Sequence, residues 1–236
     1  MSDKKENIHF TVIIPTKDRA QYLEQTLKTC TNQDYKNLEI IVSDDGSIDN
    51  SREIVEEAAR KDSRVRLISP GCGVGMLDNF EYALNHVKPG FVIALGGDDG
   101  LMPNSLTRMR DIILETSTEL LTWPTSTYFY PKTKMENGQL ILHLRKGKFT
   151  SGIKVINSKD FLERQSKNLF YISDIESPMI YVKSVVSTDL IQKVKNRSSD
   201  GRFYSCSTPD GYSGIVLAGE VDQYIFSGEP LSIHGV

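Results

Sequence analysis

Two pairs of adjacent carboxylates punctuate the chain, Asp44-Asp45 in IIVSDDGSIDNS and Asp98-Asp99 in FVIALGGDDGLMP, each directly after a short apolar run. A carboxylate placed there can accept a hydrogen bond from a base N–H such as uracil N3, and Gly46 lets a nucleoside approach closely. The same Asp, Gly and Ser composition also makes an ordinary turn and helix start. Carboxylates crowded together repel unless a cation or proton offsets them, and hard oxygen ligands suit Mn2+ or Mg2+. Gly96, Gly97 and Gly100 clear room around the second pair. A metal bridging a diphosphate is the functional reading; an acidic turn before a helix at Pro103-Asn104 is the plain one. A further acid, Asp210 in STPDGYSG, follows Pro209 where a helix would begin, and a negative charge is favourable there on dipole grounds alone.

The elements that position these residues are legible in the first 120 residues. FTVIIP (10–15), LEIIVS (38–43), RVRLIS (64–69) and GFVIAL (90–95) read as buried strands. Between them lie helical patterns at 20–33, from a cap at Asp49 or Asn50 to about residue 60, and at 76–87. Near-continuous apolar strands alternating with helices imply a mostly parallel sheet covered on both faces. In such α/β folds ligands bind beyond the carboxyl ends of the strands, which is where both acidic pairs fall. After about residue 118 the pattern becomes aromatic and alternating. Asn137-Gly138 signals a hairpin, helical stretches are expected near 158–168 and 184–195, and a helix begun by Pro209 precedes a strand. With no linker, repeat or low-complexity tract, one domain of two halves is expected, about 8–118 and about 119–236.

Composition narrows the classes. At 236 residues with a net charge of −3, the chain has no basic footprint, so nucleic acid is not an expected partner. Cys30, Cys72 and Cys206 have neither disulfide-framework nor zinc spacing, which points to a reducing, cytoplasmic compartment. The N-terminal stretch is too short in apolar residues for a signal peptide, and nothing approaches the roughly 20 residues of a membrane span. Residues 181–197, with Lys183, Lys193, Lys195 and Arg197 around Val185, Val186, Ile191 and Val194, read as a solvated helix face or, alternatively, a peripheral membrane contact. PTKDR (15–19) lacks the glycines of a dinucleotide-binding loop, and GCGVG (71–75) reads as a turn. Trp123, Tyr128, Phe129 and Tyr130 read as packing residues, and His9, His86 and His143 have no metal-ligand spacing.

The run from Phe10 to Ser51 followed by GDDGLMP resembles the GT-A glycosyltransferases of family 2, an inverting group of sugar transferases. The likeness is specific over residues 10 to about 110 and extends more weakly through SPMIYVKSVV and STPDGYSGIVLA, as in a bacterial subgroup with a PD motif. It implies a nucleotide-sugar donor, usually UDP-linked. By the same resemblance Pro15, Thr16 and Arg19 contact the nucleoside, Asp44 reads uracil with Asp45 beside it, Asp98 lies near the ribose and Asp99 holds Mn2+ or Mg2+. Asp210 falls where the family carries its base, and His234 where some relatives complete the metal site. The first acid of the DXD-type motif is replaced here by Gly96 or Gly97. Relatives often continue past the strand at which PLSIHGV stops, which leaves two readings: a trimmed catalytic domain, or one whose acceptor-side or membrane-associating part is absent.

The implied activity is transfer of a sugar to a hydroxyl of a glycan or lipid-linked glycan acceptor in surface polysaccharide synthesis, at the inner face of the membrane. Two rivals stand beside it. A nucleotidyltransferase would share the nucleotide-binding half but needs a glycine-rich activating loop that PTKDR does not supply. A non-catalytic sugar-nucleotide or glycan-binding module is kept open by the missing first acid.

Overall fold

The computed structural model describes residues 7–71, 73–131, 133, 136–142, 152–168 and 174–236; Cys72 and His143 lie outside the described residues. Four parallel strands open the chain: β1 (Phe10–Thr16), β2 (Leu38–Asp44), β3 (Val65–Ile68) and β4 (Phe91–Ala94), in the order β3-β2-β1-β4. The helices between them are α1 (Ala20–Thr31), α2 (Ser51–Lys61) and α3 (Met76–Leu84). This is the alternation the apolar runs predict, with helix ends shorter than expected. The first helix stops at Thr31, and the third stops at Leu84, five residues before Pro89. Asp49 does not cap α2 in the usual way. Its Oδ1 accepts from the Ser51 backbone and hydroxyl, and its Oδ2 accepts from Ala20 N at 2.9 Å, tying the start of α1 to that of α2.

The second half continues the same sheet. After β5 (Gly100–Leu101) and α4 (Ser105–Thr116) come β6 (Leu120–Thr122), β7 (Ser126–Phe129), β8 (Gln139–Ile141), β9 (Ile153–Asn157) and α5 (Ser158–Asn168). The chain then runs through β10 (Ser184–Ser187), α6 (Thr188–Arg197), α7 (Pro209–Glu220), β11 (Gln223–Ser227) and β12 (Ser232–Gly235). One sheet of eight strands, β3-β2-β1-β4-β10-β6-β11-β9, thus joins both halves, with β10 antiparallel to each of its neighbours. A second sheet, β5-β12-β7-β8, was not foreseen.

Side-chain alternation divides the large sheet between two apolar layers. Phe10, Val12 and Ile14 of β1 pack with α1, α2 and α4 through Leu23, Val55 and Met109, whereas Ile13 faces Phe80 of α3 and Leu190 of α6. Both layers draw on both halves of the chain, so the halves share one core.

Two expectations for the second half are corrected. Residues 184–187 are strand, not helix: Val185 and Val186 are β-branched and fully buried, and α6 begins only after Ser187, whose Oγ accepts from Leu190 N at 3.0 Å. The stretch 181–197 therefore presents no apolar membrane-facing surface, because Val185, Val186, Ile191 and Val194 lie in the core and Lys195 pairs with Glu81 at 2.8 Å. The hairpin at Asn137-Gly138 does form, with β7 and β8 paired antiparallel and Gly138 in the left-handed region at φ 71°. Among the described residues no helix is long and apolar enough to cross a membrane.

Candidate functional site

The carboxyl ends of β1, β2 and β4, the start of α3 and the start of α7 enclose a cavity of about 490 Å³, within the usual range for small-ligand sites. Pro15, Thr16, Lys17 and Arg19 form one wall, Asp45 lies at the end of β2, Gly96, Gly97 and Asp98 follow β4, and Asp210 faces them from α7. The acids singled out in the sequence are thus gathered at one opening, with two exceptions in each of which an acidic pair divides its work.

Asp44 is the first exception. Neighbouring residues leaving a strand point to opposite sides, so Asp44 and Asp45 cannot both face the cavity. Asp44 turns toward α2, where Arg52 Nη1 donates at 3.1 Å and Ser47 N at 3.3 Å, and it is only 1% exposed. The residue expected to read the base is in an ion pair outside the cavity, and Asp45 takes the facing position. Its carboxylate accepts from Val74 N at 2.5 Å and Gly75 N at 3.0 Å, with the Lys17 ammonium 3.9 Å away. GCGVG is therefore more than a turn: it is fastened to Asp45, and Gly75 and Met76 line the cavity.

The second pair divides in the same way. Asp99 is 3% exposed; its Oδ2 accepts from Gly96 N at 2.7 Å, and its Oδ1 accepts from Gly235 N at 3.0 Å and pairs with His234 Nδ1 at 3.2 Å. The Tyr181 hydroxyl lies beside the same carboxylate. With its lone pairs taken up, Asp99 is a latch joining the loop after β4 to β12. Asp98 is the member that lines the cavity. Desolvation and then the charge of Asp99 raise its pKa above the usual aspartate range, against the opposing charge of Arg19. Asp99, expected on the metal, is thus turned away from the cavity that Asp98 lines, and His234, also expected there, is held by Asp99 and does not line the cavity.

A divalent cation fits this arrangement. A half-buried carboxylate whose burial and neighbour both disfavour its charge gains from a cation, and Mg2+-type sites commonly use one or two carboxylates together with substrate phosphates. Among the described residues no cluster of three or more His, Cys, Asp or Glu side chains could hold a metal without such help.

Asp210 is the second residue of α7, after Pro209, and its carboxylate makes no hydrogen bond among the described residues. Its backbone is fixed instead: Ser213 Oγ donates to Asp210 O at 2.7 Å and accepts from Ile180 N at 3.1 Å. Residues that sequence reasoning missed complete the walls. Asn79 on the buried face of α3 exchanges hydrogen bonds with Ser43 at 2.6 and 2.9 Å, and a polar residue interrupting that apolar stripe was the available signal. Tyr181 and Tyr204 also line the cavity, and burial raises the pKa of both phenols. Trp123, by contrast, is fully buried and donates to Ser232 Oγ at 2.7 Å, a packing residue as expected, whereas Tyr130, its ring centroid 4.3 Å from that of Tyr22, also donates its hydroxyl to Asp98 O at 3.0 Å and so braces the acidic loop.

The His234–Asp99 pair makes stability pH-dependent. The hydrogen bond to Asp99 raises the histidine pKa above 6.5, so the pair's contribution is full below that value and is lost as pH rises through the folded-state pKa. The melting temperature of wild type should exceed that of His234→Gln at mildly acidic pH, and the gap should close on the alkaline side. A gap constant with pH would show that the imidazolium contributes nothing.

Comparison with known proteins bears on the fold and the family. The pattern of the family described as Glycosyl transferase family 2 matches residues 11–177. A β-1,3-glucosyltransferase of Campylobacter jejuni, named for the acceptor GalNAc(5)-diNAcBac-PP-undecaprenol, is 35% identical over 100 residues, 42% of this chain and 32% of that protein. The cholesterol galactosyltransferase of Borreliella burgdorferi is 34% identical over 101 residues, 43% of this chain and 28% of that protein. The chain thus spans less than half the length of these curated relatives. Among solved structures, S. aureus TarS 1-349 in complex with UDP-GlcNAc superposes with a TM-score of 0.72 at 17% identity, over 97% of this chain and 59% of that one. The Pyrobaculum calidifontis mannosyltransferase PcManGT, in complex with GDP-Man and Mn2+, gives 0.61 at 15% identity, over 97% and 57%. The architecture is GT-A, and the chain belongs to glycosyl transferase family 2.

Proposed function

We propose that the chain is the catalytic unit of an inverting glycosyltransferase that moves a sugar from a nucleotide-diphosphate donor to a hydroxyl of a glycan or lipid-linked glycan. The observation that carries this is the cavity in which the β1 and β2 ends, the Asp98 loop and Asp210 meet. Thr16, Arg19 and Asp45 border the nucleoside position, Asp45 in the role the resemblance gave to Asp44. Asp98 would hold a divalent cation, which would supply positive charge beside the diphosphate. Asp210, free of other partners, takes the proton from the acceptor hydroxyl as its oxygen attacks the anomeric carbon. One C–O bond forms to the acceptor while the C–O bond to the diphosphate breaks on the opposite face, inverting the centre.

A uridine donor is supported by the TarS likeness, although the mannosyltransferase was solved with GDP-Man, so the base is a matter for measurement. A polyprenyl-linked acceptor follows the Campylobacter relative and would bring the enzyme to the inner face of the membrane.

Calorimetric titration of UDP, GDP and dTDP, each with and without Mn2+, tests the reading. One nucleotide should bind, and more tightly with the metal. Binding without donor hydrolysis or transfer would indicate a sugar-nucleotide-binding module, and no binding at all would remove the proposal.

A further inference from the structure

The backbone carries a conspicuous conformation beside the cavity. Val182 has φ 61°, a left-handed value that a β-branched residue adopts only under constraint. Lys183 N donates to Tyr181 O at 2.7 Å, closing a three-residue turn of the rare, strained kind about Val182. Every neighbouring group holds it there. Val182 N donates to Ala94 O at 2.8 Å at the end of β4, Lys183 O accepts from Trp123 N at 3.0 Å and Thr122 Oγ1 at 2.9 Å, and the Lys183 ammonium donates to Asp174 O at 2.9 Å.

The turn delivers Tyr181 to the cavity wall. Its ring lies against Phe80, with centroids 6.2 Å apart, its hydroxyl lies with the Asp98 and Asp99 carboxylates around Gly96, and Asp210 lines the same cavity. The same hydroxyl explains why the acidic motif opens with a glycine. A Cβ on Gly96 would meet the Tyr181 hydroxyl at 2.7 Å, Asp99 Oδ2 at 2.8 Å and Asp98 Oδ1 at 2.9 Å, so the phenol oxygen stands where a side chain at position 96 would start. A phenol hydroxyl both donates and accepts, so Tyr181, in the cavity wall, has lone pairs to offer a ligand.

We infer that Tyr181 is a specificity-determining residue for the transferred sugar: the strained turn at Val182 holds it in the wall of the cavity that Asp98 and Asp210 also line, where its hydroxyl accepts a hydrogen bond from one hydroxyl of the sugar. This rests on the function proposed above, since the transferred sugar must lie between the cation-bound diphosphate and the base.

The test compares wild type with Tyr181→Phe. Binding of UDP and GDP with Mn2+ is measured beside that of UDP-glucose, UDP-galactose, UDP-N-acetylglucosamine, UDP-N-acetylgalactosamine and GDP-mannose, then of monodeoxy analogues of the preferred donor. The variant should retain affinity for the bare nucleotide, while affinity for the preferred nucleotide sugar falls by ~3–10-fold, the effect of one hydrogen bond. One monodeoxy analogue should show the same loss against wild type and no additional loss against the variant. Equal weakening of nucleotide and nucleotide sugar, or additive losses for every analogue, would overturn the inference while leaving the function standing. Should Tyr181→Phe fail to fold, uniform affinity of wild type for all the monodeoxy analogues would overturn it equally. Absence of nucleotide binding by wild type would remove both.

Discussion

Asp210→Asn lowers sugar transfer by roughly 10²–10⁴-fold, the usual contribution of a general base, and leaves metal-dependent nucleotide binding in place. Asparagine preserves the shape of the side chain and the helix start, and the bonds that anchor residue 210 come from its backbone carbonyl and Ser213 rather than from its carboxylate. What disappears is the acceptor for the hydroxyl proton. Parallel measurement of turnover and of nucleotide affinity separates the two roles. Normal turnover in this variant would remove Asp210 from the mechanism, and loss of nucleotide affinity would show that it serves the donor instead.

Opposite phenotypes are expected for the adjacent acids of the second pair. Asp98→Asn should abolish the gain in nucleotide affinity on adding Mn2+ and should not lower the melting temperature at neutral pH. The sign follows from its raised pKa. The folded state favours the neutral side chain, so above the unfolded-state value of 3.8 the charged form costs stability that an amide does not. Asp99→Asn places an amide NH2 against Gly96 N or Gly235 N, leaving a buried donor unpaired. Such a loss costs about 1–3 kcal/mol, which for a domain of this size lowers the melting temperature by ~2–12 °C. Calorimetry with and without Mn2+, together with thermal melting of both variants, decides the matter. A metal response lost in Asp99→Asn and kept in Asp98→Asn would return the cation to Asp99.

The first hundred residues were legible because their signal is local. Apolar runs such as those at 10–16 and 38–44 are buried on both faces and could be placed from their sequence alone. Which acid of a pair faces the ligand was not legible from the resemblance, because it depends on a half-turn of the strand and on partners remote in sequence. Arg52 claims Asp44, while Gly235 and His234 claim Asp99. The alternation rule alone would have shown that Asp44 and Asp45 must diverge. In the second half, the four residues of β10 are too few to carry a period, and their strand character comes from lying between β4 and β6. Tyr181 was hidden for a different reason: a valine at positive φ has no compositional signature, and surrounding structure imposes it.

The latch between Asp99 and β12 also orders the events of synthesis. Asp99 and Gly235 are 136 positions apart, so their contact closes a very long loop. A nascent chain that has emerged only as far as α4 already contains the parallel strands and the helices that cover one side of them. Its acidic loop has no Gly235 or His234 to hold it, and Asp210 has not yet been made. Competence for the donor should therefore arrive late and abruptly, when β12 joins its sheet, and a ribosome paused before that point would carry a partly folded scaffold unable to sequester nucleotide sugar.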